Sequence, residues 1–282
     1  VLVVGGAPGM VGATVLAGRG ALRFGAGAVA VACPKTLQMA VAGPAPELLS
    51  YGLGEGEHFT SDLVTETLEV AERFDVLVVG SGIGRGQEVF VRGVAERWPG
   101  RLLLDADGIN AVDIDTLRSR SGPTVLTPHA GEFRRLAGSE PDYRAAVRLA
   151  EACGATVLLK GNPTIVTDRV PWVITSGGPE LATIGTGDVL TGMVAALWAR
   201  GLDPVAAARS GAHWHGRAGA YLKGAVTADR LVAAVGQWAF PPFDGGPGPR
   251  EGQRRGVEAG WSDGAPTPSS SQEGQRRGVE AG

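Results

Sequence analysis

One stretch of the chain concentrates groups able to do chemistry: Ala182-Thr183-Ile184-Gly185-Thr186-Gly187-Asp188-Val189-Leu190-Thr191-Gly192. Small residues running into an apolar helix leave backbone amides free to hold an anion. A carboxylate in the first turn can take a proton from a hydroxyl. Asp188 is therefore the candidate general base, with Gly185, Thr186 and Gly187 as the anion site. An ordinary first-turn aspartate is the bland alternative, and the flanking glycines weigh against it. Lys160 is one of only three lysines and follows the apolar pair Leu158-Leu159. It opens Lys160-Gly161-Asn162-Pro163-Thr164, and a point charge there suits phosphate or adenine-side groups. Asp105-Ala106-Asp107-Gly108-Ile109-Asn110 offers two carboxylates and an amide for hydroxyls or for orienting a metal's ligands. Helix capping competes for Asp107 more than for Asp105. Thr127-Pro128-His129-Ala130-Gly131-Glu132 sets His129 and Glu132 three apart, on one helical face. His58, His213 and His215 read as structural.

Two glycine-rich stretches complete the set, Gly5-Gly6-Ala7-Pro8-Gly9-Met10-Val11-Gly12-Ala13 and Gly80-Ser81-Gly82-Ile83-Gly84. The first lacks the lysine of a phosphate-binding P-loop. The strand after it ends in Ala32-Cys33-Pro34, without the acidic residue that holds a dinucleotide ribose. Alone, it reads as a tight turn in a glycine-rich chain.

These groups share a position, each just past a short apolar run. Strands are expected at 1–4, 28–32, 76–79, 102–104, 124–126, 156–159, 164–166 and 173–175. Helices are expected at 12–24, 61–73, 87–97, 130–138, 142–153, 187–200, 204–222 and 227–238. Continuous apolar character without alternation is the mark of parallel strands buried on both faces. The fold expected is α/β, a three-layer α/β/α sandwich around a mostly parallel sheet, broken only by a hairpin near Asp168-Arg169. Ligands collect beyond the C-terminal strand ends of such sheets, where the reactive residues fall.

The chain has 282 residues, 44% of them hydrophobic and 20% charged, with net charge −3. No run is long and apolar enough to span a membrane, and no basic block invites nucleic acid or an anionic membrane. Cys33 and Cys153 are too few for a disulfide framework and suit a reducing cytoplasm. The chain has no initiator methionine and opens on Val1-Leu2-Val3-Val4, which reads as a strand with a truncated start. Residues 1–240 form the expected domain. Residues 241–282 contain the decapeptide of 251–260 again at 273–282 and few large apolar residues, so a disordered tail is expected there.

Taken together, the loops resemble the ADP-dependent NAD(P)H-hydrate dehydratase family of the ribokinase-like fold, from Val1 to about Gly236. The Gly-Thr-Gly-Asp element is shared with many ribokinase-like kinases; the five loops in order are more specific. The resemblance implies that Ala13, Gly82, Gly84, Asp105, Asn110 and His129 meet hydrated NADH or NADPH. It also implies that Lys160, Gly161, Asn162, Pro163 and Thr164 line ADP or ATP, that Gly187 helps hold it, and that Asp188 acts at the substrate hydroxyl. Mg²⁺ is the implied cation, with Glu132 a candidate ligand. A homotetramer and an epimerase partner or fused domain are implied as well. Ser81 departs from the family pattern, which usually has proline there, and the tail has no counterpart. The competing expectations are a vitamin-precursor kinase of the same fold, which would leave phosphate on its substrate, and a non-catalytic nucleotide-binding module.

Overall fold

Val, Leu and Ile runs without polar interruption become strands covered on both faces. The computed structural model describes residues 1–222 and 224–238. It opens with β1 (Leu2–Val4), α1 (Val11–Arg23), β2 (Ala30–Pro34), α2 (Gln38–Ala42) and β3 (Leu49–Leu53). There follow α3 (Leu63–Ala71), β4 (Val76–Val79), α4 (Glu88–Arg97), β5 (Arg101–Leu104), α5 (Asp107–Asn110) and α6 (Ile114–Arg118). Next come β6 (Thr124–Leu126), α7 (Ala130–Ala137), α8 (Tyr143–Cys153), β7 (Thr156–Leu159), β8 (Thr164–Thr167) and β9 (Trp172–Ile174). Three long or medium helices close the described part: α9 (Thr186–Ala199), α10 (Pro204–Leu222) and α11 (Ala228–Val235).

The strands form one sheet in the order β3-β2-β1-β4-β5-β6-β7-β8-β9. Pairing is parallel from β3 across to β7 and antiparallel for β7–β8 and β8–β9. Alternate residues of each strand face opposite layers, as the two-residue period requires. Val3, Val31, Val78 and Leu103 pack with α1, α9, α10 and α11. Leu2, Val4, Leu77 and Leu102 pack on the other face with α3, α4, α7 and α8. After β1 the chain runs outward to β2 and β3, then returns to β4 on the other side of β1. Beyond the strand ends at such a reversal of order is where open α/β sheets take their ligands.

The helix that carries Asp188 is held by close backbone approach. A Cβ on Gly192 of α9 would lie 2.0 Å from the Ala17 carbonyl oxygen of α1. One on Gly20 would lie 2.7 Å from the Val189 carbonyl oxygen. Glycine at both positions lets α1 and α9 meet at backbone distance and fixes where α9 begins.

The fold departs from expectation in a few places. β3 is an additional edge strand, broken in pattern by Ser50 and Gly52 and half exposed. The short helices α2, α5 and α6 span too few residues to show a helical period. The expected last helix ends at Val235, with a single tighter turn over Gly236–Trp238. Among the described residues no helix is long and apolar enough to cross a membrane. The tail expected at 241–282 lies outside the described residues.

Candidate active site

The turn into α9 needs glycine at its hinge. Gly185 sits at φ +87°, and a Cβ there would also meet Leu16 Cδ1 at 2.7 Å. Thr186 ties the turn down. Its hydroxyl lies 2.7 Å from the carbonyl oxygens of both Leu181 and Thr183, and its amide donates to the Thr183 carbonyl at 3.3 Å. His215, reaching across from α10, places Nε2 2.8 Å from the Thr186 carbonyl oxygen. A carbonyl only accepts, so Nε2 carries the proton. Burial pushes this imidazole down to about 4, and it stays neutral. The amides of Gly185, Gly187 and Asp188, by contrast, donate to no protein acceptor among the described residues. The amides left open at this turn are thus those of Gly185, Gly187 and Asp188. Thr186, expected among its donors, is the brace, because its amide is already bonded.

Asp188 stands in the first turn of α9 with its carboxyl pushed up to about 7. Burial is the main cause and the Asp105 charge adds to it; Ser81 and Lys160 act in the opposite sense. A carboxyl poised there accepts protons at neutral pH.

Beneath it lies a buried ion pair. Asp105, 2% exposed, stands at the end of β5 with Oδ1 2.7 Å from Lys160 Nζ, and its Oδ2 accepts from the Thr191 hydroxyl at 2.7 Å. Burial alone would raise the Asp105 carboxyl. The Lys160 ammonium and the hydroxyls of Thr191 and Thr127 together hold it below the usual range. Burial would likewise lower Lys160, but Asp105, Glu132 and Asp188 together raise it, so the pair is fully ionised at neutral pH. Lys160 was expected to face the nucleotide directly. Its ammonium pairs with Asp105, 3.6 Å from where a Cβ on Gly187 would stand, and the side chain stays 21% exposed.

His129 and Glu132 form the N-terminal cap of α7. His129 Nδ1 accepts from the Gly131 and Glu132 amides at 2.9 and 3.3 Å, and Nε2 lies 3.1 Å from Glu132 Oε1. Glu132 Oε2 accepts from the His129 amide at 2.8 Å. Both oxygens of Glu132 are therefore engaged in the cap. Among the described residues no group of three or more His, Cys, Asp or Glu is gathered to hold a metal ion.

Two cavities border this centre. The first, about 390 Å³, is lined by His129, Lys160, Gly161, Asn162, Thr164, Thr186 and Gly187 among others, with His215 in its wall. The second, about 300 Å³, takes in Gly84, Arg85, Gln87, Asn110 and Arg135. Asp188 lines neither; its neighbours Lys160 and Ser81 belong to the loops bordering each. Asp105 and Gly185 sit beneath these surfaces, and Pro163, joined to Asn162 by a cis peptide, does not line either cavity. Ala13 and Gly82 pack together instead, since a Cβ on Gly82 would lie 3.0 Å from that of Ala13. His129 is expected on the substrate side and Lys160 on the nucleotide side. The strands β6 and β7 that deliver them are neighbours, and the Lys160 amide donates to the Pro128 carbonyl at 2.8 Å. The two therefore share the first cavity. The bonds of His215, read as structural, and of Thr191 reach across the fold and leave no local pattern in the sequence.

Residues 1–234 match the family model described as NAD(P)H-hydrate dehydratase. A bifunctional NAD(P)H-hydrate repair enzyme Nnr of Salinibacter ruber is 42% identical over 231 residues, covering 77% of this chain and 43% of that one. The like-named protein of Moorella thermoacetica is 38% identical, covering 78% and 44%. The chain thus spans less than half the length of these curated relatives. Among solved structures, the ADP/ATP-dependent NAD(P)H-hydrate dehydratase of Bacillus subtilis, co-crystallised with ATP and Mg²⁺ and soaked with CoA, superposes with a TM-score of 0.70. It is 26% identical, with 84% of this chain and 89% of that one covered. A ribokinase-like protein of Enterococcus faecalis shares the fold at a TM-score of 0.73 and 24% identity, covering 84% and 85%. With nearly all of its described residues matched in sequence and its sheet, loops and α9 arranged as above, the chain belongs to the NAD(P)H-hydrate dehydratase family.

Proposed function

We propose that this chain removes water from hydrated NADH or NADPH, in the 6S form, and consumes ADP or ATP to do so. The observation that carries the reading is one juxtaposition: a carboxyl raised to about 7 beside three unbonded amides at a helix start. Hydroxide is a poor leaving group. The substrate hydroxyl attacks the terminal phosphoryl of the nucleotide, and Asp188 takes its proton. With ADP the bond to AMP breaks, and the substrate oxygen now carries phosphate. The ring nitrogen's lone pair expels that phosphate, and loss of a neighbouring carbon-bound proton restores the double bond. The products are NAD(P)H, AMP and phosphate. The amides of Gly185, Gly187 and Asp188 hold the phosphoryl oxygens, and the α9 dipole favours the same negative charge.

Mg²⁺, when bound, would neutralise charge on the transferring phosphoryl. With no protein cage gathered for it among the described residues, the nucleotide's own phosphates would be its main ligands. The first cavity would take the nucleotide and the second, reached past Gly84, the rest of the dinucleotide. The family resemblance supports a homotetramer and an epimerase acting alongside. A cytoplasmic setting fits Cys33 and Cys153, both buried and free, with thiols pushed by burial up to about 11 and about 12. The test is recovery of reduced-nicotinamide absorbance from hydrated NADH, with ADP and Mg²⁺ supplied together and then each omitted. A phosphorylated substrate that persists as product would make the chain a kinase instead.

A further inference from the structure

Ser81 follows β4 directly, and β4 packs against α9, whose first turn carries Asp188. The residue is completely buried, and its hydroxyl oxygen has no hydrogen-bond partner. An unpaired buried hydroxyl is unfavourable and calls for an acceptor. Asp188 is a carboxylate acceptor within reach of it, and Ser81 favours its ionised form. The backbone around Ser81 is fixed. The Gly82 carbonyl accepts from the amides of Gly6 and Ala7 at 2.8 and 2.7 Å, and a Cβ on Gly5 would stand 2.3 Å from the Ser81 carbonyl oxygen. Only the side chain is left free to turn. The other charged groups facing Asp188 are Asp105 from the end of β5 and Lys160 from the end of β7. Those two are paired with each other at 2.7 Å, so their effects on Asp188 largely oppose.

We propose that Ser81 is a positioning residue whose hydroxyl donates to the Asp188 carboxylate, leaving one oxygen for the substrate hydroxyl. This rests on the dehydratase reading only for what Asp188 does afterwards.

The test has two arms. In the first, the carboxyl carbons of the aspartates are labelled with carbon-13 and titrated by NMR in the wild type and in Ser81→Ala, with Asp188→Asn used to assign the signal. Loss of a donor to the ionised form raises the proton affinity, so the Asp188 midpoint should move up by roughly half to one pH unit. Ser81→Cys, a weaker donor, should fall between. An unmoved midpoint in a folded Ser81→Ala protein overturns the proposal; should that variant not fold, the midpoint in Ser81→Cys decides in the same way. In the second arm, the acid limb of kcat/KM for dehydration should move by the same amount, with the plateau within about threefold of wild type. A shifted NMR midpoint with an unshifted acid limb would uphold Ser81's action on Asp188 and instead remove Asp188 as the base.

Discussion

Two glycine-rich turns open long helices in this chain, and they differ in what stands beside their open amides. The start of the turn between β1 and α1 closes on a neighbouring loop, while Gly9 and Gly12 face open space and their amides, with that of Val11, have no protein acceptor among the described residues. Gly6 and Ala7 both donate to the Gly82 carbonyl, and the amides of Met10 and Ala13 donate to Ala7 and Met10. Gly5 is glycine because another backbone passes there, leaving no room for a side chain. Before α9 the amides of Gly185, Gly187 and Asp188 have no protein acceptor, and beside Gly187 there is only the Lys160 ammonium. Glycine at position 5 lets two backbones touch; at position 187 it leaves space open beside the Lys160 ammonium. A glycine-rich turn is therefore not in itself a site. Unbonded amides beside a poised titratable group are.

If the α9 turn is the reacting one, Asp188→Asn should show the largest effect. Turnover is expected to fall by about 10²-fold or more, the range for a lost general base, while nucleotide binding persists. Stability should move the other way. A carboxyl whose folded pKa is raised binds more protons folded than unfolded between about 4 and 7. Its contribution is then favourable at low pH and is lost as pH rises through that window. Above pH 7 the asparagine variant should be more thermostable than wild type, and near pH 4 the gain should vanish. Turnover within threefold of wild type would make Asp188 structural and erase the contrast between the turns.

The next largest effect is expected from removing the charge beneath the open turn. Lys160→Met leaves Asp105 ionised at 2% exposure with only hydroxyls for partners. Breaking a buried pair in this way costs about 3–5 kcal/mol. The Asp105 carboxyl is depressed in the wild type, so the pair's stabilisation is present above about pH 4 and lost as pH falls below it. The thermal midpoint of the variant should therefore drop most at neutral pH, and adding Asp105→Asn should recover part of the loss. A variant as stable as wild type would mean that the open turn does not depend on this pair.

A matched pair of substitutions tests the two turns directly. Gly5→Ala places a methyl 2.3 Å from a backbone oxygen and 2.6 Å from Thr14 Cγ2, overpacking that costs about 1–3 kcal/mol. Activity per folded molecule should be kept. Gly187→Ala meets nothing nearer than Lys160 Nζ at 3.6 Å, so its thermal midpoint should hardly change. Its methyl would stand where the phosphoryl must approach, so turnover or nucleotide affinity should fall. The contrast is broken if both substitutions act on the same property.

What could be read in the sequence follows from what is local. The strands from β4 to β7 were legible because their burial on both faces leaves continuous apolar runs. β3 was not, since an edge strand carrying Ser50 and Gly52 has no such run. Asp188 was legible because its turn is written in consecutive residues. The shared cavity of His129 and Lys160 was not, because strand order is settled by packing, and β6 and β7 happen to be neighbours. His215 read as an ordinary helical histidine, since its partner Thr186 lies 29 residues away.

The smallest effect is expected at a third turn, after β5, where a residue other than glycine takes a glycine's conformation. Ala106 sits at φ 48° and ψ −122°, the sole non-glycine with positive φ among the described residues, directly after Asp105. Such a conformation costs a residue with a Cβ about 1–3 kcal/mol. Glycine would relieve it, at an entropic cost of roughly 0.5–1 kcal/mol. Ala106→Gly should therefore stabilise the fold by on the order of 1 kcal/mol, a rise of about 2–4 °C in Tm. The turn is crowded from the β4 side, where a Cβ on Gly80 would come 1.9 Å from the Asp105 carbonyl oxygen, so the backbone has little room to relax elsewhere. With Asp105 still held by Lys160 and Thr191, turnover should stay within about twofold of wild type. Loss of turnover without loss of stability would show that the strained alanine itself aims Asp105, and this turn would then join the one before α9 as part of the reacting centre.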